Sequence, residues 1–532
     1  MTGAAAPTDT VTPGHVAGAT VGTRRAPVGC YLLSLVGGVC LAFSLPPWGL
    51  WPLGWIGAAL VFTAWRGRRP SVRLLAGEIA GLGCFVPGLW WASAFNWYGA
   101  AVLMVVEALA LALAAVAVPA RRGRWPAFVG ACTLTEALRM HWPFGGLPMG
   151  GIFLGQASSP LLEWARVGGP ILVTMAVWAI GATLATLGSA VVGGVRGHHL
   201  EPRSAVTALV AAACLAAVGV FAAGAPNGGP ARGFVRVAAV QGGGRRGFSK
   251  AQVPPATVFA AQVRATQRLL AAERRGRRAQ LVLWPEDVIS LPGPLPGTPQ
   301  EHTVAGLARA LHATLVAGVT ATVSSTAFDN EAVVWDPAGR VVAHYEKVHR
   351  VPFGEYVPDR GFFQHFANLS AVPLDAVPGH GSGMVRTPVG RVGIMISFEV
   401  FFPARAVSAV RAGASVLLVP TNTSSYSAAQ VPSQEVAADQ FEAVTTGRAL
   451  VQAAPTGFST VVSPRGVVEE HSGLGTPDVL EATVARHSGT TIYVRLGSLP
   501  VLLLAAALLA FGWAWAIRGR RAAAGRADSA HS

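Results

Sequence analysis

Eight predominantly apolar stretches run through this chain, and arginine clusters occupy every second break between them. The stretches cover residues 28–45, 50–65, 74–94, 100–120, 125–139, 169–195, 205–223 and 499–517. A helix needs about 20 apolar residues to cross the hydrocarbon core of a bilayer. The pattern therefore predicts an α-helical membrane bundle of about eight spans, the second and fifth short enough to be half-spans or buried helices. The clusters are Arg24-Arg25, Arg66/Arg68/Arg69/Arg73, Arg121/Arg122/Arg124, the basic stretch from Arg196 to Arg203, and Arg518/Arg520/Arg521. Basic loops stay on the cytoplasmic side, so the alternation places both termini inside and the long segment after the seventh stretch outside. Composition agrees: 52% of residues are hydrophobic and 13% charged, against about 25% charged in a soluble protein. The net charge of +15 resides largely in these clusters and reads as topology, not as a nucleic-acid surface.

The expected organisation is a disordered cytoplasmic tail over 1–27, transmembrane helices over 28–224, an extracytoplasmic domain over 225–497, a last span over 498–518 and a basic cytoplasmic tail over 519–532. The tail lacks the continuous apolar core of a cleavable signal peptide. The outer loops carry aromatic anchors, "LPPWGLWPLGW", "WWASAFNWYG" and "HWPFGGLPMGG", as the membrane–water interface favours. The third is rich in Pro and Gly and is expected to fold back under the outer domain at a substrate entrance.

The five cysteines, Cys30, Cys40, Cys84, Cys132 and Cys214, all fall in the apolar stretches. Without a CxxC pair or a Cys/His cluster, neither a zinc site nor a disulfide framework is expected. The outer segment contains no cysteine.

Within that segment, short β-branched runs ("VRVAAVQ", "AQLVLWPE", "ATLVAGVT", "RVGIMIS", "ASVLLVPTN") alternate with helical stretches at 257–277 and 434–451. This predicts a layered α/β domain, with strands covered on both faces and chemistry at the strand ends. Three ends stand out: Glu286 in "LVLWPEDV", Lys347 with Glu355 in "AHYEKVHRVPFGEYVP", and Ser397 with Glu399 in "RVGIMISFEVFFP". Each has an ordinary reading alone: a solvated acid, a Glu346–Lys347 surface pair, a serine helix cap. Together they suit acyl transfer. A carboxylate accepts the nucleophile's proton, an ammonium stabilises the tetrahedral oxyanion, and the nucleophile holds the acyl group between half-reactions.

These motifs resemble the nitrilase (carbon-nitrogen hydrolase) superfamily, which places a Glu-Lys-Cys triad on an α-β-β-α sandwich. "WPE", the long "YEKVHRVPFGEYVP" and "SFE", with flanking spans, "FGGLPMG" and Thr421-Asn422, are similar to its apolipoprotein N-acyltransferase branch. The resemblance implies transfer of an acyl chain from a phospholipid to the amine of a diacylglyceryl-cysteine at a lipoprotein N-terminus, on the outer face of the plasma membrane. No cofactor is implied, and the partners are the phospholipid donor, the diacylated apolipoprotein acceptor and the bilayer. It further implies Glu286 as base, Lys347 as oxyanion stabiliser, Glu355 orienting the lysine and nucleophile, Glu399 in support, and Phe353, Tyr356, Phe362 and Phe363 as a lipid-facing lid.

The departure is Ser397 where that family has cysteine. A cysteine thiol ionises near pH 8.5. A serine hydroxyl depends on a base within hydrogen-bond reach, and an oxyester resists amines more than a thioester does. The run after Asn422 keeps only Tyr426 as an aromatic, and "EAVTTGR" keeps Arg448 without the family's preceding glutamate. Three readings follow: a slow serine acyltransferase, an impaired paralogue that binds lipoproteins or assists an active enzyme, and a membrane-anchored amidase.

Overall fold

The computed structural model describes residues 28–195, 202–245, 247, 252–273, 278–365, 368–426 and 429–528. The expected tail over 1–27, most of the basic stretch after Arg196, residues 274–277 and the last four residues lie outside them.

The first half is helical: α1 (Val28–Ser44), α2 (Pro52–Ala64), α3 (Pro70–Gly88), α4 (Trp97–Ala117), α5 (Arg124–Arg139), α6 (Ala165–Val195) and α7 (Pro202–Gly224). The apolar run expected to continue to residue 94 breaks after Gly88, and Trp90–Ala94 forms a separate 3-10 turn. Small residues let the helices close on one another. A Cβ on Gly81 would sit 2.5 Å from the Cα of Ala108. By length and composition, four segments among the described residues can cross a membrane: Trp97–Ala117, Pro160–Val192, Val206–Gly224 and Leu499–Ala522. α1 and α2 are shorter apolar helices. α3 and α5 carry charges instead, among them Arg73, Glu78, Glu136 and Arg139. Cys30, Cys40, Cys84, Cys132 and Cys214 lie on these helices, unpaired.

The second half alternates β1 (Ala231–Gln241), α8 (Pro255–Glu273), β2 (Leu281–Leu283), β3 (Ile289–Leu291), α9 (Pro299–Leu311), β4 (Thr314–Thr322), β5 (Ala327–Trp335), β6 (Val341–Glu346), α10 (Arg360–Phe363), β7 (Asp375–Ala376), β8 (Met384–Thr387), β9 (Gly390–Ile394), α11 (Pro403–Arg411), β10 (Val416–Pro420), α12 (Gln430–Thr446), β11 (Leu450–Ala453), β12 (Thr460–Val462), β13 (Val468–His471), β14 (Asp478–His487) and α13 (Ile492–Leu496), before α14 (Leu499–Asp528). One sheet has the order β14-β1-β2-β4-β5-β6, with β3 and β7 on its margins. The other has β13-β12-β11-β10-β9-β8. Their inner faces pack together through Val237, Leu283, Val334, Ile394, Leu418 and Val451. Helices α8 and α9 cover the first sheet through Leu269, Val304 and Leu311. Helices α11 and α12 cover the second, which completes the expected α-β-β-α sandwich.

One expected boundary shifts. The helix read over 434–451 begins at Gln430 and stops at Thr446. Gly447 caps it with φ 65°, a left-handed conformation glycine adopts without a Cβ penalty. Leu450–Ala453 is then a central buried strand, paired with β10. A short apolar run fits either element by pattern alone.

The outer layer of the second sheet is not solvated. Val407, Phe441 and Val444 share one apolar core with Phe153, Leu161 and Trp164 of the helical half. Gln430 donates to the carbonyls of Pro87 and Gly88 (2.7 and 3.0 Å), Gln434 Oε1 accepts from Gly150 N (2.9 Å), and Phe441 meets Phe153 edge-on. The opposite end of the bundle gathers the arginines. There Arg124 donates to the Phe62 carbonyl, Gly67 N to the Ala120 carbonyl and Trp513 to the Ala117 carbonyl, and Arg122 lies against Gly519.

Candidate active site

Strands β2, β4 and β6 run in one direction in the first sheet, as do β9, β10 and β11 in the second. Their carboxyl ends therefore open on one edge, where α/β sheets commonly bind ligands. Glu286 follows β2, Lys347 follows β6, Ser397 follows β9 and Thr421 follows β10. Trp284, fully buried, anchors the turn that presents Glu286. Gly318 on β4 permits this, since a Cβ there would lie 2.4 Å from the Cα of Glu286.

The structure brings Glu286, Lys347 and Glu355 together. Lys347 Nζ, 1% exposed, lies 2.8 Å from Glu286 Oε1 and 2.6 Å from Glu355 Oε1. Asn330 Nδ2 donates to the same two oxygens at 2.9 and 3.2 Å. Burial disfavours the charged form of Lys347, but its two carboxylate neighbours outweigh that and hold the ammonium well above the ordinary lysine range. Burial pushes Glu355 up, with Lys347 opposing and Glu286 adding to the rise. Asn330 was not legible as a site residue, since nothing in its strand pattern distinguishes it from any polar position on β5.

Ser397, 8% exposed, opens a 3-10 turn over Ser397–Phe401. Its φ of 50° is left-handed, a conformation that costs a non-glycine residue energy and recurs where chains present reactive groups. Glu399, fully buried, secures the turn. Its carboxylate accepts from Ile396 N (2.8 Å), from Val348 N (2.9 Å) and His349 N (3.0 Å), and from the Tyr345 hydroxyl at 2.9 Å. Arg405 Nε lies 3.5 Å away. One carboxylate therefore ties the serine turn of the second sheet to the lysine loop of the first.

A further acid enters from α12. Glu435, 2% exposed, accepts from Thr421 Oγ1 at 2.7 Å and lies against the Ser397 hydroxyl. Burial raises its pKa to about 8, with Glu286 adding to the rise while Thr421, Lys347 and Ser397 oppose it. Asp439 and Glu442 follow on the same helix, fully enclosed and raised well above the carboxylate range by burial. Sequence reasoning sought one glutamate near Arg448 and missed this row. The signal was present: positions 435, 439 and 442 fall on one helical face. Arg448 itself, buried, donates to the carbonyls of Ala414 and Gly489 and braces the fold.

At the rim, Phe353 packs edge-on against Phe144 and Phe363 at 5.7 and 5.0 Å, and Phe362 adjoins Phe363 at 5.2 Å. Phe144, Phe353 and Phe362 are exposed, and Tyr356 lies under Arg350. The loop at 141–151 thus reaches the lysine loop. Among the described residues, no group of three His, Cys, Asp or Glu side chains has the arrangement to hold a metal ion.

A two-sheet sandwich with a carboxylate–lysine cluster at its strand ends, joined to apolar helices, defines a membrane-associated protein of the carbon-nitrogen hydrolase class. The carbon-nitrogen hydrolase family model matches residues 236–492, and the apolipoprotein N-acyltransferase N-terminal domain model matches residues 37–183. An apolipoprotein N-acyltransferase of Mycolicibacterium smegmatis is 31% identical over 455 residues, covering 81% of this chain and 75% of that one. One of Geobacter metallireducens is 28% identical over 501 residues, covering 88% and 91%. The chain belongs to the apolipoprotein N-acyltransferase family. Among solved structures, Nit3 of Saccharomyces cerevisiae, a nitrilase-superfamily member, aligns over 48% of this chain and 91% of its own with 18% identity and a TM-score of 0.37.

Proposed function

We propose that this chain is a membrane enzyme that moves a fatty acyl group from a phospholipid to the N-terminal amine of a diacylglyceryl-cysteine, by way of an ester on Ser397. Lys347 stabilises the oxyanion of each tetrahedral intermediate, Glu286 is a carboxylate base beside it, Glu355 orients the lysine, and Glu399 positions the serine turn. The observation that carries this reading is the buried Lys347 between Glu286 and Glu355, linked through Glu399 to the turn bearing Ser397. An ammonium fixed in a water-poor site stabilises developing negative charge far better than water does.

The topology proposed with it is multi-pass, with transmembrane helices over 28–224 and 498–518, about eight spans in all, and both termini cytoplasmic. Residues 225–497 form the extracytoplasmic domain. The arginine-rich end of the bundle, opposite the sandwich, supports this orientation. The exposed Phe144, Phe353 and Phe362 suit a lid over acyl chains.

Ser397 itself favours a second reading, a chain that binds lipoproteins without acylating them efficiently. One experiment separates the two: expression in a strain lacking its own N-acyltransferase, with lipoprotein N-termini read by mass spectrometry. The serine enzyme gives triacylated termini that vanish on Ser397→Ala. Triacylation that survives Ser397→Ala sinks the ester mechanism. Triacylation seen only with Ser397→Cys establishes the second reading.

A further inference from the structure

The hydroxyl proton of Ser397 needs an acceptor within hydrogen-bond reach. Glu286 is poorly suited. Its Oε1 is engaged by both Lys347 Nζ and Asn330 Nδ2, which hold it on the lysine side of the site. Glu435 differs in each respect. Among the described residues, its carboxyl oxygens receive no ammonium, guanidinium or amide. Oε1 takes the Thr421 hydroxyl, Oε2 has no hydrogen-bond partner among the described residues, and the Ser397 hydroxyl lies against the carboxyl group. Glu435 and Ser397 are both enclosed, at 2% and 8% exposure.

We infer that Glu435 is a catalytic residue of this chain, the group that takes the Ser397 proton during acylation and returns it to the leaving group. This rests on the reading of Ser397 as the acylated residue. In the step, Ser397 Oγ bonds to the ester carbonyl carbon of the phospholipid as its proton passes to the Glu435 carboxylate. The tetrahedral intermediate then expels the lysophospholipid oxygen, which recovers that proton from Glu435. An ester and a hydroxyl become an ester and a hydroxyl, and the carboxylate is regenerated. In the second half-reaction the acceptor amine bonds to the ester carbonyl carbon, its proton passes by way of Glu286, beside Lys347, to Ser397 Oγ, and the bond from that oxygen to the carbonyl carbon breaks.

The surroundings of Glu435 fit a base stronger than an ordinary carboxylate. The groups that face it are Thr421 and Ser397 from the second sheet, Glu286 and Lys347 from the first, Tyr426 from the loop before α12, and Asp439 from its own helix. Burial together with the like charge of Glu286 raises it to about 8, so ionisation, and with it base strength, develops on the alkaline side of neutrality.

The test is acylation of the purified full-length chain in detergent micelles by a short-chain phosphatidylethanolamine. The Ser397 adduct is followed by intact-protein and peptide mass spectrometry from pH 6 to pH 10. The parent rate is expected to rise through pH 8. Glu435→Gln, close in shape to the protonated acid, should slow acylation about 100-fold at pH 9 and flatten the profile. Glu435→Asp should keep a pH-dependent rise at a lower rate. In a Ser397→Cys background, where the thiol ionises unaided, Glu435→Gln should cost less than about tenfold. An unchanged rate and profile in Glu435→Gln, with the adduct still lost in Ser397→Ala, overturns the role of Glu435 and leaves Ser397 as the nucleophile. An adduct that persists in Ser397→Ala, or no adduct on the parent at any pH, overturns the serine reading and this one with it.

Discussion

The lysine side and the serine side of the site are both buried, yet they are held in different ways. Glu286, Lys347, Glu355 and Asn330 hold one another through short bonds among themselves. Ser397 is positioned by a neighbour in sequence, since its turn is fixed by Glu399 reaching across to Val348 and His349. The first arrangement couples chemistry to stability, because removing any charge strands its partners. The second separates them, so the side chain at position 397 can change with little cost to the fold. It is on this second side that the chain carries Ser397.

That contrast can be broken most sharply at Lys347. Lys347→Met leaves the buried Glu286 and the part-buried Glu355 without their cation and is expected to cost about 3–5 kcal/mol of stability. Acyl transfer should fall by about 10²–10³-fold. Thermal unfolding and the lipoprotein assay read the two effects. Glu399→Gln tests the bridge between the sides. It sets an amide N–H₂ against backbone donors and should cost about 2 kcal/mol. A displaced Ser397 should lower acyl transfer about 100-fold, with the lysine cluster intact. Ser397→Cys sharpens the comparison in the other direction. A thiol is more acidic and its ester more reactive, so transfer should increase about tenfold while the melting temperature barely moves.

The smallest effect is a pH dependence of stability. The folded chain keeps a proton on Glu435 up to about pH 8, whereas the unfolded chain releases it near pH 4.5. The folded state binds the extra proton between those values, so stability is lost as pH rises from about 4.5 to 8. Glu435→Gln removes that loss. Its melting temperature should exceed the parent's by about 2–4 °C at pH 9 and match it at pH 5. An equal difference at both pH values would show that Glu435 is not held neutral by the fold.

Much of this was legible in the residues. Strand runs ending in WPE, YEK and SFE announced where the sheets would open, because a buried apolar run that stops at a charged residue has to deliver it to an edge. Glu399 was legible as a supporter, though not that its partners would be the amides of the lysine loop. Those partners are 50 and 51 residues away in sequence. Asn330 and Glu435 were hidden for the same reason. Each becomes a site residue only when a non-neighbouring strand or helix swings it in. The boundary at Gly447 was misplaced because apolar runs carry no mark of helix or strand when both faces are buried. Hydropathy predicted eight apolar stretches. Among the described residues, length and composition qualify four of them as spans, since α1 and α2 are short and α3 and α5 carry charges.

Helix α12 gives the molecule a property beyond its site. It is buried on nearly every side, with one flank on β11 and β12 and the other on the helical half. The sandwich therefore has no water-compatible exterior on that flank. A fragment cut to residues 225–497 would bare Phe441, Val444 and the Gln430 and Gln434 side chains, which now bond to the carbonyl of Gly88. In engineering terms the catalytic head is a cantilever whose root is part of the wall, and it cannot be unbolted as a soluble enzyme.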